Sequence, residues 1–97
     1  MFVRVVNYEV KPGMMDEAEK VYHDETKKIL ENQPGLERSY ALVNTQTGMA
    51  MTVAIWASKE EYEKFGASDA SKEMADRVEP LLANPPSVTE FDRMVNA

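Results

Sequence analysis

Met49-Ala50-Met51-Thr52-Val53-Ala54-Ile55-Trp56-Ala57 is the stretch on which the fold turns. Its length and β-branched content predict a strand, and both of its faces are apolar. Met49, Met51, Val53 and Ile55 alternate with Ala50, Thr52, Ala54 and Trp56. A strand apolar on both faces is buried on both sides. One layer of helices covers one face, so the other needs a second sheet. Each large side chain left in water would forgo about 1.5–3 kcal/mol. The expected remedy is a homodimer packed sheet to sheet, with Val6, Tyr8 and Val10 of the opening segment on the same face as Met49, Met51, Val53 and Ile55.

Glycine and proline punctuate the chain on either side of this strand. Pro12-Gly13, Pro34-Gly35, Gly48, Gly66 and Pro85-Pro86 separate the segments. Phe2–Lys11 is valine-rich and predicts strand 1. Met14–Asn32 carries Met14, Ala18, Val21, Tyr22 and Ile29 on one helical stripe, with acids early and Lys27 and Lys28 late, which suits the helix dipole. Leu36–Asn44 predicts strand 2, joined to strand 3 across Thr45-Gln46-Thr47-Gly48. Ser58-Lys59-Glu60-Glu61 is a capping-box signature that opens a short helix to Phe65. Ser68 or Asp69 caps a second helix, Ala70–Leu82, and Val88–Val95 predicts the last strand. The order β-α-β-β-α-β predicts a ferredoxin-like α+β fold over residues 1–97. It is a four-stranded antiparallel sheet with helices on one face and strand 1 beside strand 3.

Composition narrows the function. The 97 residues are 43% hydrophobic and 29% charged, a size and balance suited to a single domain. Eleven Lys and Arg against 17 Asp and Glu leave a charge of −6. Phosphate backbones and anionic membranes both call for a positive surface, so neither is an expected partner. With no cysteine, disulfides, thiolate catalysis and iron–sulfur clusters are excluded. The apolar run at strand 3 is too short to span a bilayer, and the first residues do not read as a signal peptide, so the expected location is cytoplasmic.

Val10-Lys11-Pro12-Gly13, Pro34-Gly35-Leu36, Trp56-Ala57-Ser58-Lys59-Glu60-Glu61-Tyr62 and Pro80-Leu81-Leu82-Ala83-Asn84-Pro85-Pro86 stand in an order and spacing that resemble the antibiotic biosynthesis monooxygenase domain family. The resemblance runs over nearly the whole chain. It implies a dimeric α+β barrel of two ferredoxin-like halves. That family includes cofactor-free oxygenases of polycyclic phenols and quinols, haem-degrading enzymes and a sugar-phosphate isomerase, so the fold alone does not select an activity.

The resemblance also implies a ligand pocket in each subunit, between sheet and helices. By alternation, Asn7 and Trp56 are expected to share that pocket with Val5 and the small residues Thr52 and Ala54. Asn7 interrupts an apolar strand face. A buried amide without partners costs about 1–3 kcal/mol, so it bonds either to a ligand or to local backbone. Trp56 matches a pocket tryptophan of the phenol oxygenases, or is plain core. Tyr62 matches one of their tyrosines, or is the first apolar contact of its helix. Their asparagine four residues before the tryptophan is Thr52 here, and Arg77 is near the place of their helix arginine. Tyr22, Glu25 and Met74 complete the expected substrate-binding set. Glu25 falls inside the helical stripe and either snorkels at the rim or is a desolvated base.

Haem degradation fits poorly, because Ala75 stands where those relatives carry their proximal histidine; Ala70 stands where many other members of the family carry one. His23, the single histidine, is expected to be solvated, and no metal-ligand pattern surrounds it. Asn7, Trp56 and Tyr62 are thus the expected catalytic residues of a cofactor-independent monooxygenase acting on an aromatic phenol or quinol, with no cofactor and no metal. The alternative is a non-catalytic or stress-related small-molecule binding protein of the same fold.

Overall fold

The computed structural model describes residues 1–96 and places the valine-rich opening segment, β1 (Phe2–Glu9), inside a four-stranded antiparallel sheet. The strand order is β2 (Leu36–Val43), β3 (Met49–Trp56), β1, β4 (Ser87–Phe91). Strand 1 lies beside strand 3, as the ferredoxin-like order requires. β4 stops at Phe91 rather than running to Val95. Phe91 pairs with Val3, and β1 begins one residue earlier, so further residues have no ladder to join.

The first helix is interrupted. α1 (Met15–Val21) passes into a π-turn at Tyr22–Thr26, where the amide of Lys27 donates to the Tyr22 carbonyl, and continues as α2 (Lys27–Glu31). After β3, Ser58 caps α3 (Lys59–Gly66), its hydroxyl accepting from the Glu61 amide at 3.2 Å. Ser68 caps α4 (Asp69–Val78) in the same way through Ser71. α4 ends at Val78 rather than Leu82, because Pro80 cannot continue an α-helix. Glu79–Leu81 forms a 3₁₀ turn instead. That turn is tied to the end of β1: Lys11 donates to the Leu81 carbonyl at 2.9 Å and Ala83 to the Glu9 carbonyl at 2.8 Å.

The register sorts the two faces. Phe2 pairs with Trp56, Arg4 with Ala54, Val6 with Thr52 and Tyr8 with Ala50. Directly paired residues share a face. Phe2, Arg4, Val6 and Tyr8 therefore lie with Ala50, Thr52, Ala54 and Trp56 under the helices. Val3, Val5 and Asn7 pair with Ile55, Val53 and Met51 on the opposite face. The expected phase of β1 is thus corrected: Val6, Tyr8 and Val10 are not partners of the Met49–Ile55 face, and Asn7 and Val5 are not under the helices. Alternation within β1 and within β3 was read correctly. The relative phase of the two strands comes only from their pairing.

The core under the helices is aromatic. Phe2, Leu30, Trp56 and Phe65 are buried together, with Tyr62, Ile29, Leu36 and Met74 packed against them. Trp56 is 1% exposed. Its ring stacks on Phe65 at 5.4 Å and meets Tyr62 edge-on at 5.6 Å. Across the sheet, Val3 and Ile55 are buried within the chain, while Met51 and Val53 are half-buried. Tyr40, Leu42, Met49 and Phe91 border that face and are exposed. No helix among the described residues is long and apolar enough to cross a membrane.

Candidate functional site

The small residues Ala50 and Thr52 lower the floor of the sheet beneath α1 and α4. The space they leave is a half-open cleft of about 1120 Å³. Arg4, Val6 and Tyr8 of β1 line its floor with them. Met15 and Ala18 of α1, Tyr22 of the π-turn, and Met74 and Val78 of α4 form its walls. Tyr62 and Phe65 of α3 close one end. Most of this lining is apolar or aromatic, with hydroxyls set into it. The Tyr8 and Thr52 hydroxyl oxygens lie 3.5 Å apart across the β1–β3 ladder. Tyr22 and His23, at the start of the π-turn, both border the cleft. His23 is at the exposed mouth, its Nδ1 3.2 Å from an Asp24 carboxylate oxygen.

Arg4 enters from the floor. Its guanidinium lies over the Tyr62 ring, 4.8 Å from the centroid, a cation–π arrangement. Its Nε is 3.9 Å from a Glu90 carboxylate oxygen on β4, an ion pair longer than a hydrogen bond. That Nε is buried without a hydrogen-bond partner among the described residues, and so is the Trp56 indole N–H. Among the described residues no group of three or more His, Asp or Glu side chains is placed to hold a metal ion.

A profile of one family, antibiotic biosynthesis monooxygenase, matches residues 1–77. The chain belongs to this family. The match covers β1 through nearly all of α4, and so most of the cleft lining. No curated protein matches the sequence. Solved structures agree on the fold. A putative antibiotic biosynthesis monooxygenase from Caulobacter crescentus is 24% identical over 97% of this chain and 90% of its own, with a TM-score of 0.83. A monooxygenase from Streptomyces coelicolor, solved with the ligand nanaomycin D, is 22% identical over 99% of this chain and 89% of its own, TM-score 0.86. A cofactor-independent oxygenase from Streptomyces nogalater is 18% identical over 98% and 94%, TM-score 0.84.

In this family member, the residues singled out from sequence are distributed as follows. Tyr22, Thr52, Tyr62 and Met74 line the cleft. Ala54 packs on the aromatic core. Trp56 lies behind Tyr62 and Phe65 and does not border the cleft. Asn7 and Val5 are on the far face of the sheet, so Asn7 and Trp56 share no cavity. Glu25 and Arg77 are paired with each other outside the cleft, and Arg77 also donates to Glu73 at 2.5 Å. The Glu73 hydrogen bond and then the Glu25 charge hold the Arg77 pKa above its usual value, so its charge is permanent and already committed. Glu25 is therefore an ion-paired rim carboxylate and not a lone desolvated base. Ala75 lines the cleft on α4. Arg4 and Tyr8 were missed. They belong to the β1 set assigned to the other face, and the pairing of Phe2 with Trp56 is the observation that recovers them.

Proposed function

We propose that this protein is a cofactor-independent monooxygenase of a flat phenol or quinol, bound between sheet and helices. The observation that carries the reading is the cleft's lining: the rings of Tyr8, Tyr22, Tyr62 and Phe65 around the hydroxyls of Tyr8 and Thr52, in a chain of the antibiotic biosynthesis monooxygenase family. The nanaomycin complex of the Streptomyces coelicolor relative supports a polycyclic aromatic ligand for the same fold.

The chemistry asks little covalent work of the protein. An ionised phenol gives one electron to dioxygen, and the radical pair collapses to a carbon-bound peroxide. The O–O bond then breaks as the ring carbon loses its proton. One oxygen stays as a carbonyl and the other leaves as water, so the substrate supplies every electron. The protein must favour the phenolate and exclude water from the pair. A two-unit shift in the phenol's pKa requires about 2.7 kcal/mol, within reach of one or two charge-assisted hydrogen bonds. The same proposal includes a homodimer through the Val53 face, whose apolar margin at Tyr40, Leu42 and Phe91 is exposed in the single chain.

The deciding experiment measures oxygen uptake on a panel of polycyclic quinols and phenols with no added cofactor, together with labelled-oxygen incorporation. One labelled atom in the product and one oxygen consumed per turnover are expected. Ligands that bind in the cleft with no uptake above the uncatalysed rate overturn the oxygenase reading and leave the small-molecule binding protein.

A further inference from the structure

Among the described residues, Arg4 is the one cation in a floor otherwise made by Val6, Tyr8, Ala50 and Thr52. It projects from β1, an interior strand held on one side by β3 and on the other by β4. Its guanidinium is oriented by the Tyr62 ring on one side and by Glu90 on the other. Only 29% of its side chain is exposed. A desolvated N–H without an acceptor is costly, and a charged one more so. Glu90, at 3.9 Å, supplies charge without supplying a hydrogen bond to Nε. An arginine held this way has directional donors to spend on an incoming oxygen.

We infer that Arg4 is the anion-binding residue of the cleft, and that its guanidinium receives the phenolate oxygen of the bound aromatic ligand. The phenol's proton leaves to solvent as the ligand settles, and the ring lies among the aromatic walls. The inference deepens the proposed function and rests on its phenol-class ligand. It gives a direct ligand contact to Arg4, a residue that the sequence reading did not single out.

The other charges around the cleft make the assignment decidable by sign. Asp16, Glu19 and Lys20 of α1, His23 and Asp24 of the π-turn, and Glu79 after α4 border it and are exposed. With Glu90, the carboxylates outnumber the cations. Acting alone they would hold a bound phenol neutral and raise its pKa. Arg4 acts against them, and an adjacent cation lowers an acid's pKa by about one to three units.

The test titrates para-nitrophenol, whose colour reports its ionisation and which the protein does not need to oxidise. Bound to the wild-type protein, its pKa should fall by about one unit, a tenfold preference for the phenolate. Arg4→Gln should abolish or reverse the shift, Arg4→Lys should keep part of it, and Glu90→Gln should deepen it by freeing the guanidinium. Thermal melts establish that each variant is folded. If Arg4→Gln does not fold, the Glu90→Gln arm decides, and no deeper shift there overturns the inference. It is also overturned by a raised or unmoved pKa in the wild type, by a folded Arg4→Gln that keeps the shift, or by no binding at all. Because this readout involves no turnover, a lowered pKa without oxygen uptake refutes the oxygenase and keeps Arg4. Oxygen uptake with an unmoved pKa does the reverse.

Discussion

Gly35 is where the turn before β2 and the packing of α3 depend on the same atoms. It has φ +82°, a conformation that costs an L-residue about 1–2 kcal/mol. A Cβ added there would lie 2.6 Å from both Cβ and Cγ of Glu61, and 3.0 Å from its Oε2. Ordinary carbon contacts are about 3.5–4.0 Å. Rotating the Glu61 side chain cannot clear its own Cβ, so α3 or the turn must move. The Gly35 carbonyl also accepts from the Ala57 amide at 2.7 Å, which anchors the exit of β3 just past Trp56. Gly13 supplies the control. It has φ +80° and nothing within 4 Å of the added Cβ. Gly13→Ala should therefore cost strain less the stiffening of the unfolded chain, about 1 kcal/mol. Gly35→Ala adds an overpacking term of about 1–3 kcal/mol, for a total near 2–4. In a domain this size the two correspond to falls in Tm of about 4–8 °C and 10–30 °C. Thermal and urea unfolding at matched protein concentration would read both. Glu61→Ala in the Gly35→Ala background should restore part of the loss, since it removes Cγ and Oε2 and leaves Cβ. Equal losses at Gly13 and Gly35 would refute the contact argument.

Three further outcomes follow from the placement of side chains. Trp56→Ala empties the best-buried position and should cost about 3–5 kcal/mol in urea unfolding. Trp56→Phe, which keeps the stack on Phe65, should cost much less and leave ligand affinity within about twofold. Asn7→Ala should leave binding of flat phenols in the cleft unchanged by equilibrium titration, because Asn7 lies on the other face. A tenfold loss would put its amide back among the ligand contacts. Val53→Asp places a carboxylate at the centre of that face, where an unpaired buried charge costs about 3–5 kcal/mol. Sedimentation should show a wild-type dimer and a monomeric variant at micromolar concentration, and a monomeric wild type refutes the dimer.

The architecture was legible because its signals are local. Serine caps at Ser58 and Ser68, the Pro-Gly stops and the two apolar faces of β3 each act within a few residues. What escaped is phase. Period-two alternation sorts β1 into two sets but does not say which set lies beside Trp56. That is settled by a ladder between residues 40 to 54 apart. The π-turn has the same effect on a helix. A wheel of 3.6 residues carried through Tyr22–Thr26 puts Glu25 in the stripe, whereas Thr26 is the residue buried there. Arg77 failed for another reason. Its guanidinium is taken up by Glu73, four residues earlier on the same helix, and by Glu25, 52 residues away, a partner that no local spacing announces.

The sheet is a partition one residue thick, and β1 is written in two interleaved texts. Arg4, Val6 and Tyr8 address the cleft, while Val3, Val5 and Asn7 address the far side. Losing or gaining one residue inside such a strand is a frameshift: every later side chain changes compartment, and Arg4 or Tyr8 would trade places with an aliphatic neighbour. Both compartments would fail together. In such a sheet a substitution along β1 or β3 is felt at its own position, whereas a change of strand length moves every side chain beyond it. Insertions and deletions belong in the connections between elements, outside the strands whose alternation sets each side chain's face.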